Sequence, residues 1–272
     1  MRRLLLPALL AVTAVSVQAG PTPKPLPFHP APVPGGVVVV PVGDSEQKPE
    51  VSYHGNRVLL RKEARGWMAI VGLPLSAKVG RDTLDVDGKT IAFTIQDKHY
   101  AEQHLTLKNS HLVTPDAEEE ARIAQEQKLM EPVWKEWPEG LVPSLRFLPP
   151  TKGRKTSSFG LRRFYNGIAR SPHGGLDIAA PAGQAVKAPA DGVVVLTGDF
   201  FYSGKSVFVA HGEGVVSLLG HLSEITVKVG QRVKASERVG KVGMTGRATG
   251  PHLHWSLSLN NARVDPRLFL HP

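Results

Sequence analysis

The chain has 272 residues, enough for one large or two ordinary domains, and its 41% hydrophobic and 21% charged content argues against disorder over most of that length. It contains no cysteine, which excludes disulfide scaffolds, thiolate zinc sites and cysteine nucleophiles together, so a metal has to be held by His, Asp or Glu. The 27 glycines and 23 prolines favour short strands joined by turns, and the net charge of +9 draws the surface towards polyanions without choosing among nucleic acid, anionic lipid and an acidic wall polymer.

Residues 1–19 read as an export signal, because Arg2 and Arg3 precede an apolar run from Leu4 to Val17 that ends in Val17-Gln18-Ala19 before Gly20. The run falls short of the ~20 residues a membrane span needs, and Pro7 interrupts it. No later stretch is apolar enough to cross a bilayer, so the expectation is an exported chain, periplasmic or secreted, without stable membrane insertion. Residues 20–35, with the proline-rich stretch PTPKPLPFHPAPVP, read as an extended spacer with no fold of its own. Residues 36–112 read as a small β domain carrying the runs VVVVPV, VSYHGNRVLL, WMAIVGLPL, TLDVDGKT and IAFTI, with Asp87-Gly88 as a hairpin turn. Its histidines, His54, His99, His104 and His111, are scattered and read as surface or strand residues.

Residues 113–149 read as a helix followed by a proline-rich linker. Thr114 is the expected N-cap, Pro115 the first helical residue, and the helix is expected to stop near Glu131, before Pro132. Pro138, Pro143, Pro149 and Pro150 then mark a boundary. From 150 to 272 strand-like runs recur between glycines (GVVVLTG, SVFVAHG, VVSLLGHL, ITVKVG, HLHWSLSL) with no long amphipathic helix among them. The predicted class is mostly β: an antiparallel β sandwich or barrel-like C-terminal domain, preceded by the small β domain and one linking helix.

Four histidines sit in tight, glycine-flanked contexts: His173, His221, His252 and His254. In Pro251-His252-Leu253-His254-Trp255 the two imidazoles are two positions apart on an alternating segment, so both rings point to one strand face and can share a metal or a bound water. In His173-Gly174-Gly175-Leu176-Asp177 the glycines argue against a helix, and a tight turn can fold His173 back beside Asp177 while Leu176 and Ile178 are buried. Two histidines and one carboxylate leave the fourth position of a zinc ion open to water, the pattern of a catalytic site. Ser157, Ser158 and Ser171 lack a Gly-x-Ser-x-Gly elbow, and Gly240, Gly243, Gly246 and Gly250 read as turns because no Gly-Lys-Ser/Thr accompanies them. His211 reads as structural.

The segments SSFGLRR, SPHGGLDIAAPAG, VFVAHGEG, GHLS, VGKVGMTGRATGPHLHW and VDPRLFL, in that order over about 150–270, resemble the lysostaphin and LytM-type zinc metallopeptidases, which cleave peptide cross-links of bacterial peptidoglycan. The upstream part resembles the β domain found before some exported members. The resemblance implies one Zn2+ ion held by His173, Asp177 and His254. It also implies His221 and His252 as the catalytic pair, one taking a proton from a zinc-activated water and the other stabilising the oxyanion or protonating the leaving amine. Peptidoglycan stems are the implied partner, nucleic acid is not, and relatives kept latent by upstream segments imply autoinhibition by the N-terminal domain. The chain departs from the family where Leu218-Leu219-Gly220 precede His221 in place of an aromatic, and where Ser256 stands in place of an acid. A non-catalytic wall-binding regulator that activates amidases is the alternative; such relatives usually lack a metal residue, and this chain keeps them all.

Overall fold

The computed structural model describes residues 26–105, 115–165 and 167–270. The stretch read as an export signal, His111 and Thr114 lie outside the described residues. Among those described, no helix is long and apolar enough to cross a membrane.

The architecture is mostly β with one α-helix. In the N-terminal half a three-stranded antiparallel sheet runs Val37–Gly43, Gly66–Gly72, Leu59–Glu63, beside a four-stranded sheet that contains the hairpin Gly80–Val86 and Lys89–Ile95. Val86 pairs with Lys89 across Asp87 and Gly88, whose φ values of 50° and 75° are those of the tight turn read from the sequence. In the C-terminal half a ten-stranded open sheet follows the path Arg232–Val233, Gly192–Phe200, Gly204–Gly212, Val215–Ile225, His252–Leu259, Leu176–Ala179, Arg154–Ser157, every pairing antiparallel.

The two halves share one core. Val37, Leu59 and Ile70 from the N-terminal half belong to the same buried cluster as Leu253, Trp255 and Leu257 of the long sheet. A second junction is the short strand Glu102–Leu105, which pairs in parallel with Arg162–Tyr165 and is pinned by Arg162 Nη1 at 2.6 Å from Glu102 Oε1.

Two expectations are corrected. The described part of the proline-rich stretch is docked, not a free spacer: Phe28 is 3% exposed and stacks on Phe269 with ring centroids 5.2 Å apart, while the His29 N–H donates to the Leu268 carbonyl at 2.8 Å. Proline fixes the extended path, and the single aromatic ring anchors it by roughly 2 kcal/mol of apolar burial.

The helix spans Ala117–Val133 with Asp116 as its N-cap; the Asp116 carboxylate accepts the Glu119 N–H at 2.9 Å, and the Asp116 N–H donates to the Glu119 carboxylate at 3.0 Å. This reciprocal box satisfies two of the helix's unpaired donors, which a threonine two residues earlier would leave free. The helix also runs through Pro132 instead of stopping at Glu131. Proline there disturbs only the last turn, and the turn is held by Val133 and Trp134, each 6% exposed against Phe200 and Phe208.

Candidate metal centre

Strand alternation and register bring the chemistry together. Asp177 and His254 are directly opposed across the antiparallel pair Leu176–Ala179 and His252–Leu259. Their side chains rise on one face, while Leu176, Ile178, Leu253 and Trp255 enter the core from the other. His252, two residues before His254, shares that face and lies opposite Ala179, whose small side chain leaves room for the ring. On the far side His254 is flanked by Gly220, and His221 follows with φ 60°. That left-handed backbone, with the His221 N–H donating to the Ser203 carbonyl at 2.7 Å, ends the regular ladder and turns the imidazole inward.

His173 reaches the same point from the loop before the Asp177 strand. Its N–H donates to the Leu161 carbonyl at 3.0 Å and its carbonyl accepts the Gly160 N–H at 2.8 Å. A Cβ at Gly175 would come within 2.6 Å of His254 Cε1, so this turn needs glycine for close approach. The resulting donor set is compact: His173 Nε2 to Asp177 Oδ1 is 3.0 Å, His254 Nδ1 to Asp177 Oδ1 is 2.9 Å, and His173 Nε2 to His254 Nδ1 is 3.1 Å. Ligands on a tetrahedral zinc at the usual ~2.0–2.1 Å are ~3.3 Å apart, so a small divalent ion fits against this face with little rearrangement.

The surrounding hydrogen bonds decide which atoms face inward. His173 Nδ1 lies 3.0 Å from the Ser158 carbonyl, which only accepts, so the proton sits on Nδ1 and Nε2 presents a lone pair. The Ser256 hydroxyl donates to the Gly174 carbonyl at 2.8 Å and therefore accepts from His254 Nε2–H at 2.9 Å, leaving His254 Nδ1 as a lone pair too. Ser256, where the sequence departs from the family's acid, thus does the orienting. Two imidazole lone pairs and a carboxylate then converge on one point.

A second proton on an imidazole would relieve that arrangement, but burial pushes the His254 imidazole below its ordinary range, and His173 adds to the push against the pull of Asp177. Burial would raise the Asp177 carboxyl, yet hydrogen bonds and charge from His173 and His254, were their facing nitrogens protonated, would outweigh burial and hold it well below the usual carboxylate range; with those nitrogens as lone pairs, a cation takes the place of the protons. A cation satisfies all three groups at once.

His221 and His252 complete the cluster without joining the donor triangle. Their ring centroids are 4.6 Å apart, and His221 lies 5.9 Å from His254. His221 Nδ1–H donates to the Thr245 carbonyl and His252 Nδ1–H to the Gly250 carbonyl, each at 2.8 Å, so both present Nε2 as the basic atom. Burial, helped by His254, lowers the His221 imidazole to about 4. All five residues singled out in the sequence are therefore brought together, and among the described residues His173, Asp177 and His254 form a group able to hold an ion.

His211 is elsewhere: fully buried, it donates from Nδ1 to the Asp191 carbonyl at 2.8 Å and meets the Ser217 hydroxyl at 2.9 Å, as a structural histidine does. His54, His99 and His104 are exposed and also lie apart. The sequence reading missed Ser158 and Ser256 as orienting groups and Arg163, which lines the same open groove of about 420 Å³ as Asp177 and His252. Only the doubled arginine in SSFGLRR pointed to the last of these.

Comparison with known proteins finds matches over both halves of the chain. Residues 171–266 match the model of peptidase family M23, and residues 30–98 match the model of the family's N-terminal domain. The crystal structure of a chain assigned to peptidase M23 from Pseudomonas aeruginosa is 40% identical and superposes with a TM-score of 0.76, covering 90% of this chain and 97% of that one. The chain belongs to peptidase family M23. Within this M23 chain the five clustered residues all lie inside the matched peptidase region. The peptidoglycan DD-endopeptidase ShyA of Vibrio cholerae is 41% identical over 121 residues, 44% of this chain and 28% of ShyA. The DD-carboxypeptidase/endopeptidase Mpg of Neisseria meningitidis is 44% identical over 94 residues, 35% of this chain and 22% of Mpg. The M23 chain thus spans about a quarter of the length of the curated relatives it matches.

Proposed function

We propose that this chain is an exported zinc metalloendopeptidase that hydrolyses peptide cross-links of bacterial peptidoglycan. The observation that carries the reading is the convergence of His173 Nε2, His254 Nδ1 and Asp177 Oδ1 within 3.1 Å of one another, with both imidazole lone pairs turned inward by their outer partners. The relatives named as peptidoglycan DD-endopeptidases support the substrate.

In this reading His173, Asp177 and His254 hold one Zn2+ ion, which supplies Lewis acidity for the carbonyl and acidifies a water. The protein's own part is to place two further imidazoles beside it. His221 and His252, each with its Nδ1–H spent on a backbone carbonyl, offer Nε2 to the groove, one to accept a proton as general base and the other, protonated, to hold the oxyanion or protonate the leaving amine. The alternative, a non-catalytic regulator of amidases, is disfavoured because every one of these groups is present and oriented.

Digestion of isolated sacculi by the wild type and by His254→Ala, with mass spectrometry of the released fragments, tests the proposal. Fragments cut at peptide bonds are expected from the wild type and none from the variant; equal release by both would overturn it. Latency imposed by the N-terminal half is a further element, supported by Gln103 of that half lining the groove. A Gln103→Gly variant that digests sacculi no faster than the wild type would remove it.

A further inference from the structure

We propose that Arg163 selects the substrate by a free carboxylate: its guanidinium grips a peptide in which the carbon attached to the scissile amide nitrogen also bears a carboxylate. The proposal rests on the peptidase reading above and adds the charge its substrate carries.

Arg163 stands in the strand Arg162–Tyr165 and lines the groove that holds Asp177 and His252. Its Nη2 donates to Ser157 Oγ at 2.8 Å, and its Nε is buried with no hydrogen-bond partner. A guanidinium carries five N–H donors in a rigid planar fork that matches a carboxylate with two parallel bonds; with Nε shut away from solvent, the edge formed by Nη1 and Nη2 is the one a ligand in the groove can reach, and among the described residues only Nη2 is engaged there, by Ser157. Asp177 does not use that edge up. Its Oδ1 faces His173 and His254 at 3.0 and 2.9 Å, and its Oδ2 is 3.8 Å from Arg163 Nη2, beyond hydrogen-bond reach.

The neighbouring arginine sharpens the assignment. Arg162 is committed to Glu102 at 2.6 Å and is 53% exposed, so it holds the Glu102–Leu105 strand in place while Arg163, paired in register with Gln103, faces the groove. The other polar groove residues outside the histidine and aspartate cluster, Gln103, Thr156, Ser157 and Thr249, are neutral, which leaves Arg163 as the one permanent cation among the described residues that line it. With Nη2 3.8 Å from Asp177 Oδ2, the fork is about one residue's reach from the metal face, close enough to meet a carboxylate carried on the residue next to the scissile amide.

The test uses two peptides identical except that this carboxylate is free in one and amidated in the other. Each is cleaved by the zinc-loaded full chain as wild type, Arg163→Gln and Arg163→Lys, with kcat, KM and bound zinc all measured. The wild type is expected to favour the free acid by roughly ten- to a hundredfold in kcat/KM, as one charge-assisted bidentate pair warrants. Arg163→Gln should lose that preference through the free-acid substrate alone, Arg163→Lys should keep part of it, and zinc content should not change. Should Arg163→Gln not fold, Arg163→Lys carries the same comparison. Equal cleavage of both peptides by the wild type, or a variant that sheds zinc or slows both peptides alike, would overturn the assignment and leave the peptidase reading standing. Cleavage of neither peptide by the wild type would sink both.

Discussion

Asn260 pairs its carboxamide with both backbone polar groups of Gly72: the Gly72 N–H donates to Asn260 Oδ1 at 2.7 Å, and Asn260 Nδ2 donates to the Gly72 carbonyl at 3.0 Å. The two residues belong to different halves of the chain, so this buried clamp ties the Gly66–Gly72 strand to the turn that follows the His252–Leu259 strand. Asn260 sits at φ 40°, a backbone that asparagine tolerates better than most residues. Replacing it by alanine leaves two buried backbone groups without partners and adds left-handed strain, for an expected loss of about 2–4 kcal/mol. Denaturant unfolding of Asn260→Ala against Asn260→Gly separates the two causes, since glycine removes the strain and keeps the lost pairing.

In the proposed metal centre Ser256 acts through the far nitrogen of His254. Ser256→Ala removes the acceptor that keeps the proton on Nε2, so the inward-facing Nδ1 is no longer held as a lone pair. Metal affinity is expected to fall about 10–100-fold. Titration of the apo protein with zinc in a competing chelator reads this directly, and circular dichroism should show an unchanged fold.

Removing the metal should abolish hydrolysis without unfolding the chain. Asp177 and His254 are anchored by a sheet whose apolar core does not include them, with Trp255, Leu253 and Leu257 fully buried beneath, and His173 is tied to it by backbone bonds to Gly160 and Leu161. After treatment with a chelator, secondary structure should persist, with Tm lowered because an ion that binds only the folded state adds RT ln(1 + [L]/Kd) to its stability. Readdition of zinc should restore both rate and Tm.

His211 predicts an acid-side loss of stability. Burial lowers its imidazole to about 4, against an ordinary value of 6.5, so between those two pH values the unfolded chain binds a proton that the folded chain refuses. The contribution is fully present above about pH 6.5 and is lost progressively as the pH falls towards 4, for a total of about 3 kcal/mol. A series of Tm measurements from pH 7 to 4 should show a shallower slope in His211→Gln than in the wild type. Parallel slopes would refute this account of His211.

Much of this was legible in the residues themselves. The Asp87-Gly88 turn followed from its need for positive φ, and the metal candidates followed from alternation in His252-Leu253-His254 and from the glycines between His173 and Asp177. The helix start was misjudged because Thr114-Pro115 and Asp116 are both sound local signals, and only the reciprocal bond with Glu119 separates them. Phe28 gave no signal inside a proline-rich stretch, since its partner, Phe269, comes from the opposite end of the chain.

By itself, then, the sequence determined what depends on near neighbours: strand alternation, turn chemistry, the absence of thiol ligands and a glycine turn that can fold His173 back beside Asp177. Tertiary structure alone decided the rest. Which imidazole nitrogen carries its proton depends on the Ser158 carbonyl and the Ser256–Gly174 hydrogen bond, and the groove's cation depends on a parallel pairing between segments about 60 residues apart. Those contacts are set by register and packing between distant strands, and no local preference of the chain encodes them.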